Sequence, residues 1–215
     1  MGQLFTIGCS ILSLDDFIRN LRLNNINVVA DVRSVPYSRT TPQFNKEVIQ
    51  ERLRKEHILY GTFSKEFGAR RKEFSAYENN QVSFEKVKRL PAFLDGVKRI
   101  QKGLAMGYSI GLMCTEKNPL DCHRFSLVAR GITEQTGIDV SHVLTDASIV
   151  STELLEKQML KDFNLEQDFF SNRNERIESA YNMLNKKIGY ILPQKEESCD
   201  KEEMNNNAKD IYMFG

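Results

Sequence analysis

Residues 108–124 read YSIGLMCTEKNPLDCHR, and this stretch decides the fold. Tyr108 to Cys114 is a mostly apolar run of strand length, as expected where both faces of a sheet are covered. Thr115 to Asp121 is a polar loop with a proline, and Cys122 to Gln135 then takes up helical spacing. A buried strand that ends in a polar loop and enters a helix is the unit from which parallel α/β sheets are built.

The same order recurs upstream. Leu4 to Gly8 is a short apolar run, closed by Gly8, Cys9 and Ser10. Ser13, Asp15 and Asp16 suit the positive end of a helix, in which Leu14, Phe17, Ile18 and Leu21 recur at near-helical spacing as far as Asn24 and Asn25. Asn27 to Val32 is a second strand, and Arg33 to Phe44 (RSVPYSRTTPQF) is the loop that leaves its carboxyl end. Asn45 caps a helix to about Glu56, and His57 to Tyr60 (HILY) is a third strand. Phe63 to Asn80 (FSKEFGARRKEFSAYENN) reads as a mobile flap, too polar for a core element. Ser83 to about Lys102 is helical with Pro91 as a kink or restart, and Val140 to Leu144 is the last strand. The expectation is a three-layer α/β sandwich over residues 1–150, with a mostly parallel sheet of about five strands. A helical extension over 151–192 follows, from the patterns Glu153 to Phe163 and Asn174 to Lys187. A polar tail, 193–215, ends near the apolar Tyr212 to Phe214.

Composition narrows the class. The 215 residues are 40% hydrophobic and 27% charged, ordinary for a soluble globular chain and foreign to collagen, coiled coil or wholesale disorder. Lys plus Arg number 30 against 29 for Asp plus Glu, so there is no global pull toward nucleic acid or anionic membrane, and any such binding is local. No window reaches the roughly 18–20 apolar residues that cross a bilayer. The opening MGQLFTIGCSILSLDDF has no basic n-region, so no membrane association and a cytoplasmic location are expected. Cys9, Cys114, Cys122 and Cys199 are too irregularly spaced for a disulfide framework.

Chemistry concentrates in two places. In CTEKNPLDCHR (114–124), the start of a helix would favour an anion and lower a thiol pKa. Cys122 or Cys114 is a candidate nucleophile, His123 an acid or base, Glu116 an orienting or proton-handling group, and Arg124 an anion clamp. The second cluster is DVRSVPYSR (31–39). Asp31 and Arg33 alternate to one face and either pair with each other or act separately, Arg33, Arg39 and Ser38 as anion contacts and Asp31 as an acid or base. Both clusters leave carboxyl ends of strands, the edge at which ligands bind in this architecture. Lys65, Arg70, Arg71 and Lys72, interleaved with Phe67, Phe74 and Tyr77, form either a solvated loop or a segment that closes over a phosphate or base. His57 and His142 are read as structural.

Three ordered motifs carry a family resemblance: TIGCS (6–10), DVRSVPYSR (31–39) and MCTEKNPLDCHR (113–124). The chain resembles the domain of unknown function 488 family, whose pattern runs T-I-G-H-S, D-V-R-x-x-P-x-S-R and M-C-x-E-x-x-P-x-x-C-H-R. Pro42, Phe44 and Asn45 continue the match, Phe67 to Ala69 resembles its L-G-G, and the likeness spans residues 3 to 145. It implies a compact α/β domain with a polar pocket. Cys9 stands where that pattern has His, an exchange that metal ligands tolerate better than a general base.

Three functions remain open on the sequence. The leading one is an enzyme acting on a phosphate-bearing, nucleotide-like or nucleic-acid substrate. The second is a noncatalytic module that binds a nucleotide or nucleic acid. The third is a zinc or iron protein using Cys9, Cys114, Cys122 and His123, disfavoured because adjacent Cys122 and His123 would diverge by about 100° on a helix. The P-loop and dinucleotide fingerprints are absent, and no oligomeric state is implied.

Overall fold

The computed structural model describes residues 2–167 and 171–193; the tail beyond, with Cys199 and Tyr212 to Phe214, lies outside the described residues. The chain opens with β1 (Leu4–Gly8), α1 (Leu14–Leu23), β2 (Val28–Asp31), α2 (Lys46–Lys55) and β3 (Leu59–Thr62). A short α3 (Ser64–Phe67), a hairpin of β4 (Tyr77–Glu78) and β5 (Gln81–Val82), α4 (Phe84–Val87) and α5 (Pro91–Ala105) come next. Then follow β6 (Ile110–Cys114), a π-helical segment (Arg124–Ala129) that runs into α6 (Arg130–Thr136), β7 (Ser141–Val143), β8 (Ile149–Ser151), α7 (Thr152–Asp162) and α8 (Arg173–Ile188).

Six strands form the central sheet in the order β3-β2-β6-β1-β7-β8, parallel throughout except for β8. The three-layer, mostly parallel architecture is as expected, with one strand more. β8 follows a turn at Asp146 to Ser148 and returns along β7; three residues are too few to show a periodicity. The third strand begins at Leu59 rather than His57, because His57 takes a left-handed turn (φ 59°) on leaving α2.

Period-two alternation divides the core. Phe5, Ile7, Cys9, Val29 and Met113 face α1 and α2, packing on Phe17, Leu21, Ile49 and Leu53. Leu4, Ala30, Leu112 and Cys114 face the other way, toward Phe93, Val97 and Ile100 of α5 and Leu127, Val128 and Ile132 beyond β6. The helix starts read from sequence are built as the chemistry suggests: the Ser13 side chain accepts from the Asp16 N–H, and Pro91 opens α5.

The expectation for Phe63 to Asn80 is corrected. This segment is anchored, not a free flap. Phe63, Phe67 and Ala76 are buried, and the Phe67 ring packs edge-on against Phe93, with centroids 5.1 Å apart. Gly96 makes room for that ring, since a Cβ there would lie 2.8 Å from it. Arg71 turns inward and donates to the carbonyls of Lys65, Glu66 and Gly68, so a charged side chain holds the end of α3. The helices after residue 151 pack on the domain through Leu155, Met159, Ile177 and Tyr181, which bury Leu120 and Phe125. No helix among the described residues is long and apolar enough to cross a membrane.

Candidate active site

The connections leaving β1 and β6, neighbours in the sheet, run in opposite directions: β1 leads toward β2 and β6 toward β7. Such a reversal opens a crevice at the strand carboxyl ends. A pocket of about 410 Å³ lies there, with Cys114, Glu116, Cys122 and His123 on one wall and Arg33, Ser34, Tyr37 and Ser38 on the other. Ala69, Arg70, Asp121, Ile188 and Tyr190 are also among its lining residues.

Cys122 is not helical. It has extended backbone (φ −137°, ψ 138°) after the turn Pro119–Asp121, and the helical segment begins only at Arg124. The extended residue turns its side chain back toward the end of β6 rather than away from His123. The Cys114 and Cys122 sulfurs and a His123 ring nitrogen consequently lie within 4.8 Å of one another. The divergence expected from a helix does not occur, and these three donors would supply the N/S set of a zinc or iron ion. Cys9 does not join them. Gly8 is registered against Cys114 in the β1–β6 ladder, so Cys9, one residue on, points into the core on the opposite face. The four-ligand expectation is thereby corrected to three. Burial pushes the Cys9 thiol up to about 12, in keeping with an inert core thiol.

Electrostatics distinguish the two sulfurs. Burial opposes a charge on Cys122, but the Cys114 thiol, the Arg124 guanidinium and His123 together hold it well below the ordinary thiol range. Cys114, hydrogen-bonded to Cys122, buried and facing its charge, is pushed well up. His123 Nε2 lies 3.1 Å from the Val32 carbonyl, which can only accept, so Nε2 carries a proton and Nδ1 faces the sulfurs, 3.7 Å from Cys114 Sγ. Burial works against charging the imidazole; contact with Cys122 and the Val32 carbonyl outweighs it, and its pKa is raised. The directions of these shifts favour negative charge on Cys122 over Cys114 and favour the protonated form of His123. Glu116, on the pocket wall, is pushed up by desolvation and by the Cys122 charge.

The arginines expected to bind anions have other work. Arg33 is 4% exposed and grips Asp31 with two donors (2.9 and 2.6 Å), its Nη2 also reaching the Phe44 carbonyl (2.9 Å). Asp31, fully buried, also accepts from the Tyr60 hydroxyl at 2.7 Å, so the carboxylate is fully engaged, while Arg33 is held by it at the pocket lining through Nε and Nη2. Arg124 is fully buried and donates to the carbonyls of Glu116 (2.7 Å) and Lys117 (3.1 Å), holding the loop rather than a ligand. Gly8 permits this, since a Cβ there would lie 2.1 Å from the Glu116 oxygen. Arg39 is exposed and does not line the pocket; Ser38 does, with its hydroxyl engaged to Thr40 and Thr41.

Arg70 is the lining cation with no acidic partner among the described residues. Its N–H donates to Ser34 Oγ (2.9 Å), and its guanidinium stands 5.0 Å from the centre of the Tyr190 ring. The sequence marked Arg70 only as one of several basic residues in a polar segment and did not mark Tyr190 at all. A signal for Tyr190 was absent because its placement is tertiary: its carbonyl accepts from Val82, and Ile191 bridges to Gln81, so the β4–β5 hairpin sets it over the pocket.

These features define an open α/β protein with a thiol-lined pocket at its sheet edge. The chain belongs to the family described as Domain of unknown function DUF488, which matches residues 13–130. No curated protein and no solved structure matches it.

Proposed function

We propose that the protein is a cysteine-dependent enzyme acting on a phosphate-bearing, nucleotide-like substrate, with Cys122 as nucleophile. The observation that carries this reading is the grouping of Cys122, Cys114 and His123 within 4.8 Å on the wall of a pocket of about 410 Å³. A thiolate held beside a cation in a pocket is the usual form of an activated cysteine. Arg70 takes the phosphate, and Tyr190 and Tyr37 offer flat faces to a base. The Cys122 sulfur attacks the electrophilic carbon or phosphorus, and the Glu116 carboxyl, its pKa raised, protonates the departing group.

The test is iodoacetamide labelling across pH, with peptide mapping, beside nucleotide binding and turnover in wild type and Cys122→Ser. Cys122 alkylation that persists well below the ordinary thiol pKa of about 8.5 is expected, together with Cys122→Ser that binds but does not turn over. Equal binding by both proteins without turnover identifies a noncatalytic module. About one zinc or iron per chain by elemental mass spectrometry, lost on Cys122→Ser, replaces the thiolate mechanism with a metal centre.

A further inference from the structure

Building on the reading of Cys122 as the reactive sulfur, we propose that Cys114 and Cys122 form a dithiol couple that reduces a small hydroperoxide and closes to a disulfide. The two sulfurs lie within 4.8 Å across the end of β6, and a disulfide needs about 2.05 Å. Cys114 is fixed at a strand end, whereas Cys122 sits in the extended link between the turn Pro119–Asp121 and the helical segment from Arg124, so Cys122 is the sulfur placed to move. No third described thiol competes, because Cys9 is on the other face of the sheet.

Access selects the oxidant. Cys114 is 4% exposed and Cys122 2%, and both open only onto the pocket wall. A hydroperoxide of a few heavy atoms is small enough to reach them through the pocket. The Cys122 thiolate attacks the outer peroxide oxygen, an S–O bond forms, and the O–O bond breaks with its electron pair on the departing alkoxide or hydroxide. That group takes a proton from water in the pocket, leaving Cys122 as sulfenic acid. The Cys114 sulfur then attacks the Cys122 sulfur, the S–S bond forms, the S–O bond breaks, and the hydroxide leaves as water with the Cys114 proton. Two thiols lose two electrons to one peroxide, and an external dithiol reductant restores them.

The experiment treats the reduced full chain, as Cys9→Ala/Cys199→Ser, with one equivalent of hydrogen peroxide, then counts thiols and maps peptides. Loss of both remaining thiols to a Cys114–Cys122 linked peptide, reversed by dithiothreitol, is expected, and adding Cys114→Ser should leave a dimedone-trappable sulfenic acid on Cys122. Overoxidation of Cys122 without linkage, or links only between chains, would overturn the couple. Should iodoacetamide still label Cys122 below neutral pH in that case, the couple fails while the nucleophile reading stands; should it not, both fail.

Discussion

Arg124 Nη1 lies 2.7 Å from the carbonyl oxygen of Glu116, across a gap left open by the missing side chain of Gly8. With its second bond, to the Lys117 carbonyl, the Arg124 guanidinium holds the loop that carries Glu116 and supports the charge of Cys122. Gly8→Ala should push the carbonyl off the guanidinium. We expect a loss of about 1–3 kcal/mol in urea denaturation, as for overpacking elsewhere, and Cys122 alkylation whose pH midpoint moves upward. Unchanged stability and an unchanged midpoint would show the loop to be held by other means.

Breaking the Asp31–Arg33 pair is a different kind of injury. Asp31→Asn leaves a buried guanidinium without its counter-charge, which costs about 3–5 kcal/mol in comparable sites. The variant should be strongly destabilised in denaturant titration, its midpoint moving to lower urea.

Acid sensitivity should trace to a residue far from the thiols. His142 is fully buried, accepts from the Thr6 hydroxyl (2.8 Å) and donates to Thr152 Oγ1 (3.1 Å), whose own proton goes to the Val140 carbonyl. Burial, with the Arg124 charge, lowers its pKa to about 3. Between the ordinary 6.5 and about 3 the unfolded chain binds a proton that the folded chain refuses, so stability rises with pH there. This group alone contributes a slope approaching about 1.4 kcal/mol per pH unit. His142→Gln should flatten unfolding free energy against pH over that window; an unaltered slope would assign the effect to other groups.

Arg70→Ala should weaken binding of a nucleoside monophosphate by about tenfold, the scale of one charge-assisted hydrogen bond, and reduce the salt dependence of that binding. Because the side chain is exposed, thermal stability should change little. Isothermal titration at two ionic strengths separates this from a structural defect.

What the sequence disclosed followed from local physics. Apolar runs such as Leu4–Gly8 and Ile110–Cys114, the cap at Ser13 and the polar loop after Cys114 are written in neighbouring residues, but the extended backbone of Cys122 that turns its sulfur back to Cys114 is not. The departures are tertiary. Arg71 enters the interior to donate to three carbonyls at the end of α3, keeping Glu73 as its charge partner, and the carbonyls it seeks are not visible in a linear run of charges. Arg124 looks like an anion binder in a linear motif, but its partners are backbone carbonyls in a returning loop, whereas the Asp31–Arg33 pair is one of the two readings that the strand alternation allowed. Cys9 is misassigned for the simplest reason: one residue of strand register decides which side of the sheet a side chain enters.

Ile188 and Tyr190 reach the pocket from beyond the stretch, 13–130, that defines the family, whereas Cys114, Glu116, Cys122 and His123 fall inside it. The reactive floor and part of the rim therefore have separate origins along the chain. Exchanging the C-terminal segment would recut the aperture while leaving the sulfur chemistry in place, so ligand selection can be redesigned there without reopening the sheet.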